Sequence, residues 1–465
     1  MDFPLTIIEP GIGQWRSAEI DSDEIPSDLR FHDDTACSLL DTICNARVTK
    51  VDSTLNMAFL DLGDGQTGVM NFRRARLLKK AQAKTITDCL HEGQKVRVQI
   101  LAEPSALENK ALPVTPRPRV AGRYIVAEAG SARLNFSKDL TARRTKDLKE
   151  LIAPFVENVA LIVRARAGTV PTGAVVAEAK RLVAIFSQAE DTVGLVHGWT
   201  PAEKALLACP DGDSPIFIEG GSDFAEAKGL ANQHWPDLHS RLQPYKDSEQ
   251  AFQALGVEEA IEEALTEQIN LPSGGWISIT PTPALTAVDV NMGGALKGMA
   301  AAEAKLVVNM EATRALAYHL RFQDIGGIIV VDYINMSGKG SVRELMAMIE
   351  TSFRDDVVPV QHTGISAFGL VEFTRKRSGL SLRDRMLSNR APTERTAAVA
   401  LEALRCAERV GKTAAPGSLI VETTKPVEKW LKEHGSLLEA LERQTNRKVI
   451  FETNSSTRAY ARIGD

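Results

Sequence analysis

Two aspartates punctuate the ends of two apolar runs: Asp289, with Asn291 beside it, in Leu285-Thr-Ala-Val-Asp-Val-Asn291, and Asp332 in Ile328-Ile-Val-Val-Asp-Tyr-Ile-Asn335. A carboxylate inside a strand that is otherwise Val and Ile carries a large desolvation cost unless a cation or hydrogen-bond donors compensate it. Two such carboxylates brought together repel, and a divalent metal ion is the usual remedy. Hard cations such as Mg²⁺ are often held by one or two carboxylates plus substrate phosphates, so the chemistry suggested is phosphoryl transfer. The competing reading is that each aspartate caps a strand or pairs with an arginine.

The elements around these residues suit a ligand site. Leu271-Pro-Ser-Gly-Gly275 leads into Trp276-Ile-Ser-Ile-Thr and then into the Asp289 strand. A helical pattern over 300–320 runs through Gly326-Gly327 into the Asp332 strand. That order makes an α/β unit with its acid at the strand's carboxyl end, where ligands commonly gather. Upstream, short alternating runs over 36–120 (Ile43–Thr49, Met57–Leu62, Thr67–Phe72, Gln94–Leu101), with a turn at Gly63-Asp-Gly65, predict a small barrel. Strand-like Tyr124–Ala127 and Ala160–Ala167 flank a helical Thr145–Leu151, and helical patterns follow at Ala174–Glu190 and Glu249–Leu265. After about 390, a helix over 394–411, strand Ser418–Glu422, a helix over 426–434 and strand Lys448–Glu452 read as a small separate α/β module.

The 465 residues suffice for about three domains as a length prior. Composition is that of an ordinary soluble protein, 44% hydrophobic and 25% charged, with no run long enough to span a membrane. The amino terminus lacks a basic region and signal core, so a cytoplasmic location is expected. Five cysteines without a CxxC pair argue against a disulfide framework and a zinc knuckle. The net charge of -5 conceals a segment from Lys110 to Asp147 with nine basic and three acidic residues. Such a stretch can track a phosphate backbone, or form a solvated face.

Four blocks in order closely resemble the catalytic core of the bacterial ribonuclease E/G family: Leu271–Gly275, Ala284–Asn291, Asp324-Ile-Gly-Gly-Ile-Ile-Val-Val-Asp-Tyr-Ile-Asn-Met336 and Phe368-Gly-Leu-Val-Glu-Phe-Thr-Arg-Lys-Arg377. Ala58–Gly63 and Glu92–Ile100 resemble that family's oligonucleotide-binding barrel, and Leu161–Arg164 its sensor region. The resemblance implies a multidomain α/β architecture. An RNase H-like subdomain (1–35 with 201–275) would carry an inserted OB-fold barrel (36–120) and sensor-like domain (121–200). A DNase I-like catalytic subdomain (276–390) and a small C-terminal domain (391–465) would follow. It further implies that Asp289 and Asp332 bind Mg²⁺ or Mn²⁺, that Asn291 orients one of them, and that single-stranded RNA is cut to 5′-phosphate and 3′-hydroxyl ends in RNA processing or decay. A neutral amide can fix a carboxylate without adding a third negative charge.

Arg375, Lys376 and Arg377 are candidates for phosphate contacts beside the metal, followed by Lys297 and Arg321; a solvated basic surface is the alternative. Phe59 could stack on a base or belong to the barrel core. Arg164 matches an arginine that reads a 5′-monophosphate. His319 and His362 could be acid/base groups, but the metal reading needs neither. The chain also departs from the family pattern. No cysteine stands in Leu380–Thr393, where the family has a zinc-binding CPxC element, so no zinc is expected and a homodimer would rest on the small module alone. Val69 replaces the second barrel aromatic, Ala165 a sensor threonine, Pro359 a second sensor arginine and Asn335 an acidic residue. Ala and Pro cannot donate to phosphate oxygens, which predicts weak or absent 5′-end sensing. Neither a membrane partner nor a degradosome-recruiting tail is expected. The reading from a different class is an RNA-binding protein of the same fold that cleaves weakly or not at all; a DNA-directed phosphodiesterase comes third.

Overall fold

Gly63, Asp64 and Gly65 all take left-handed backbone, with φ of +92°, +49° and +74°, and so turn one barrel strand sharply into the next. The computed structural model describes residues 3–464 except 36, 79–82, 103–110, 131, 157–158, 189–191, 248, 283, 295–299, 337, 355, 367, 377–378, 387–393, 413–416 and 454–459. Two units divide the chain. One comprises Met1–Ser17, Arg30–Asp247 and Ser388–Asp465, the other Ala18–Leu29 and Ser248–Leu387.

In the first unit, strands Ile43–Asp52, Met57–Gly63, Gln66–Asn71, Leu112–Thr115 and Lys95–Ile100 follow one another, and Ile43–Asp52 pairs back onto Lys95–Ile100. The result is a closed five-stranded, OB-like barrel filled by residues such as Ala46, Val48, Ala58, Leu60, Met70 and Val98. Two short strands cross the expected boundaries. Gly194–His197 pairs with Ile43–Asp52 at the barrel, while Arg119–Ala121 pairs with Ile125–Ala129 in a separate four-stranded sheet. Neither strand is long enough to show an alternation that would announce its sheet.

The four-stranded sheet carries helix Thr172–Phe186, whose buried Glu178 accepts from the backbone N–H groups of Arg123 (3.0 Å), Tyr124 (2.6 Å) and Ile125 (2.8 Å) and from the Trp235 indole (3.0 Å). Four donors on one carboxylate offset its burial. The expected basic surface over 110–147 is partly internal. Arg123 donates Nε to Asp237 (2.5 Å), and Arg144 donates to the carbonyls of Ala167 (2.9 Å) and Val170 (2.5 Å). Arg119, Arg133, Lys138, Arg143 and Lys146 remain exposed.

A third sheet of this unit places Leu5–Glu9 parallel to Ile216–Ile218, which is parallel to Leu242–Pro244. Its Glu9 meets three guanidinium groups: Arg16 (Nε to Oε2, 2.7 Å), Arg405 (Nη1 to Oε2, 2.9 Å) and Arg409 (Nη2 to Oε1, 3.2 Å). Burial raises the Glu9 carboxyl, and the three cations reverse this and hold it down at about 2. Helix Glu394–Gly411 is thereby fastened to the first strand, so the C-terminal module is not separate as expected. Its sheet, in the order Val449–Thr453, Ser418–Thr423, Tyr460–Gly464, packs with that helix around Leu404, Ala407, Leu419 and Val421.

The second unit is built on a six-stranded sheet in the order Gln268–Asn270, Trp276–Pro281, Thr286–Asn291, Gly327–Asp332, Leu370–Arg375, Val360–His362. Helices Ala301–Phe322 and Lys339–Ser352 cover one face, with Val308, Leu316, Leu345 and Ile349 packed on Val288, Val290, Ile329, Val331, Val371 and Phe373. The helix expected over Glu249–Leu265 is two, Ala251–Ala254 and Val257–Leu265, because Gly256 between them takes φ +68°. No helix among the described residues is long and apolar enough to cross a membrane.

Candidate active site

Strands Thr286–Asn291 and Gly327–Asp332 are parallel neighbours, and their register sets Asp289 directly beside Asp332. Side chains alternate along each strand. Val288, Val290, Ile329 and Val331 enter the core, while Asp289 and Asp332 stand on the opposite, exposed face. The desolvation cost expected from their apolar neighbours therefore does not arise. Mutual repulsion remains, because parallel strands about 4.8 Å apart bring the two carboxylates together. Asn291, two residues along on the same face, donates Nδ2 to Asp289 Oδ2 at 2.5 Å and so fixes that carboxylate's rotation.

This donor set suits a hard cation that takes one or two carboxylates and completes its shell from substrate. Among the described residues, no group of three or more His, Cys, Asp or Glu side chains is gathered to hold a metal ion. Glu372, which sequence reading passed over, lies on the same exposed face opposite Val330, one strand over and two residues from the pair. Only the register reveals it.

Local chemistry explains why the pair is held so well. Beyond Asp332 the chain is gripped by Asn309 of the long helix, which donates Nδ2 to the Ile334 carbonyl (2.9 Å) and accepts from the Ile334 N–H (3.0 Å). The Thr313 hydroxyl meets the Tyr333 hydroxyl at 2.9 Å in the same layer. Beside Asn291, the Leu271–Gly275 turn passes so close that a Cβ at Gly275 would lie 2.8 Å from the Asn291 carbonyl oxygen. At Gly293 it would lie 2.3 Å from the Gly274 carbonyl oxygen. The glycines of the sequence motif are steric requirements of this approach.

The candidate phosphate contacts fare differently. Arg375 is buried, donating to Asp356 (2.9 Å) and Asp324 (2.8 Å) and to the Ile325 carbonyl (3.2 Å). It pairs in register with Gly327, whereas Asp332 pairs with Leu370, so Arg375 and the exposed Lys376 occupy the far end of the strand. At about 3.3 Å per residue that is roughly 20 Å from the aspartates for Lys376. Arg321 donates Nε to the Ser27 carbonyl (2.9 Å) from a helix on the covered face. Lys297 and Arg377 lie outside the described residues.

In the first unit, Phe59 points outward from the barrel, paired with Val69 and with Lys50 across its two neighbouring strands; its flanking Ala58 and Leu60 fill the interior. Arg164 donates Nη1 to the Gly122 carbonyl (2.9 Å), with Ala165 exposed beside it.

His362 lies on the edge strand with Nδ1 3.1 Å from the Thr363 carbonyl oxygen. His319 is buried on the helix side of the sheet, and burial pulls its imidazole down to about 4. Between pH 6.5 and 4 the unfolded chain would bind a proton that the folded chain refuses. Stability should therefore fall as pH falls through that window, by on the order of 3 kcal/mol from this residue, with no contribution above it. Thermal unfolding of wild type and His319→Gln at pH 7.5 and 4.5 tests this: the variant should lose less on acidification, and equal losses would reject it.

Residues 119–378 match the model of the Ribonuclease E/G family. Ribonuclease G of Escherichia coli (strain K12) is 25% identical over 374 residues, covering 76% of this chain and 76% of that protein. Ribonuclease G of Haemophilus influenzae is 26% identical over 376 residues with the same coverage. Ribonuclease E of Escherichia coli (strain K12) is 30% identical over 371 residues, 73% of this chain but 34% of that longer protein. The matched stretch contains both aspartates and every strand that sets their register, and the chain belongs to the ribonuclease E/G family.

Proposed function

We propose that this family member, an endoribonuclease, depends on a divalent metal ion and cleaves single-stranded RNA to 5′-phosphate and 3′-hydroxyl ends in RNA processing or decay. The observation that carries this reading is the parallel register that sets Asp289 and Asp332 side by side on an exposed face. Among the described residues no cation pairs with these exposed acids, which leaves them open to a polyanion bridged through Mg²⁺ or Mn²⁺. When bound, such an ion acts as a Lewis acid on phosphoryl oxygens and lowers the pKa of water. The chain's own part is positional. Asn291 orients Asp289, and Asn309 holds the strand exit behind Asp332. The exposed face that carries Asp289 and Asp332 leaves room for an extended strand. Phe59 is free to meet a base from the outer barrel surface, while Val69 beside it supplies no second ring. Arg164 is left without the hydroxyl neighbour that phosphate sensing would favour.

The test is incubation of a labelled, single-stranded, AU-rich RNA with the full chain in Mg²⁺, in Mn²⁺ and after chelation. Cleavage should require the ion and leave 5′-phosphate and 3′-hydroxyl ends. Undiminished cleavage after chelation, or cyclic-phosphate ends, would reject the reading. Substrates with 5′-monophosphate and 5′-hydroxyl ends should be cut at rates within about twofold of each other, since the sensing residues are degraded; a large monophosphate preference would contradict that part.

A further inference from the structure

Phe368 is 84% exposed, an unusual state for a phenylalanine. Hydrogen bonds on both sides of it fix its backbone. Ser366 Oγ accepts from the N–H groups of Phe368 (3.3 Å) and Leu370 (3.2 Å), the Ser366 carbonyl accepts from Gly369 N–H (3.0 Å), and Ser366 N–H donates to the Leu370 carbonyl (2.8 Å). Gly369, at φ +88°, makes the turn possible. The turn opens into the strand whose first residue, Leu370, is the register partner of Asp332. Phe368 is thus two residues along and one strand spacing from Asp332, two spacings from Asp289, within about 12 Å of both by chain geometry.

Between Phe368 and Asp332, on the face that carries the acid pair, lies the half-buried, apolar Leu370. Val330 and the 50% exposed Ile328 continue the same face on the far side of Asp332, beside the exposed Glu372 and Thr374. An uncovered aromatic beside an acid pair fits a ligand with a flat apolar face adjoining a phosphate. A nucleotide has both. We propose that Phe368 is a stacking platform for the base of a nucleotide that flanks the cleaved phosphate, setting the RNA strand against Asp289 and Asp332. The proposal rests on the nuclease reading of those aspartates and deepens it. Stacking tolerates any base, since every base presents a π-face.

The experiment compares wild type, Phe368→Ala, Phe368→Leu and Phe368→Tyr as full chains. The substrate is a single-stranded RNA with one mapped cleavage site, together with versions carrying one abasic nucleotide at each flanking position. Because the side chain is exposed, all variants should unfold at the wild-type temperature. Phe368→Ala and Phe368→Leu should each lose about tenfold in kcat/KM and Phe368→Tyr should keep it. One abasic position should cost wild type a similar factor and cost Phe368→Ala nothing further, the coupling expected of a direct contact. Alanine or leucine variants within twofold of wild type, or an abasic loss undiminished in Phe368→Ala at every position, would overturn the proposal. The two readings fail separately. Cleavage that survives Asp289→Asn and Asp332→Asn removes the nuclease centre, and inactive aspartate variants beside a fully active Phe368→Ala remove only the platform.

Discussion

Asp289→Asn and Asp332→Asn should each abolish most RNA cleavage, by about 10³-fold in kcat, while leaving the unfolding free energy within about 0.5 kcal/mol of wild type. The two halves of this result have one cause, exposure. A carboxylate at the surface has little desolvation to recover, and neutralising either member relieves its repulsion with the other. Asparagine keeps an oxygen that can still accept from Asn291, so the strand geometry survives. What is lost is one of the two negative oxygen donors around which a hard cation would be placed, worth several kcal/mol in a phosphoryl-transfer barrier. Single-turnover cleavage at saturating Mg²⁺, with urea unfolding of the same preparations, checks both halves. A variant retaining more than about a tenth of wild-type activity would show that the pair does not carry the chemistry.

Arg375→Met should give the opposite pattern, a loss of about 3–5 kcal/mol in stability without a specific loss of RNA affinity. The guanidinium is buried between Asp356, whose side chain is 5% exposed, and Asp324, at 32%, and it also holds the Ile325 carbonyl. Methionine fills much of the volume and satisfies none of these acceptors, so a carboxylate is left inside without a partner. Most of the cost should come from Asp356, because solvent screens Asp324. Chemical denaturation gives the stability change, and RNA affinity of the folded fraction gives the control. A fall in affinity with unchanged stability would restore Arg375 to the RNA surface.

The contrast between these residues marks how much could be read from the chain. Asp289, Asn291 and Asp332 were legible because local spacing survives folding: a polar residue closing an apolar run stays at the end of its strand. Their exposure was not legible. Ile328–Val331 is apolar on both faces, so alternation, the signal that separates inside from outside, is missing from the Asp332 strand. Arg375 was misread for a related reason. An Arg-Lys-Arg run resembles a basic surface, and its acidic partners come from 51 and 19 residues away. The helices at 301–322 and 394–411 fall close to their expected limits, since strong periodicity identifies long helices best. Short strands such as Gly194–His197 are recognised only through the neighbour they pair with.

The arginine cage around Glu9 has a consequence for the order of events during synthesis. Glu9 emerges long before Arg405, which follows it by 396 positions. Throughout translation the first strand carries an acid whose cationic partners are largely unmade, with only Arg16 nearby. Every strand of that sheet lies within residues 5–244, but neutralisation of its buried acid must wait for Arg405 and Arg409, a contact of extreme sequence separation that belongs late in assembly. A chain cut short before residue 405 would leave Glu9, in the middle of that sheet, with Arg16 as its partner and without the two cations of the later helix.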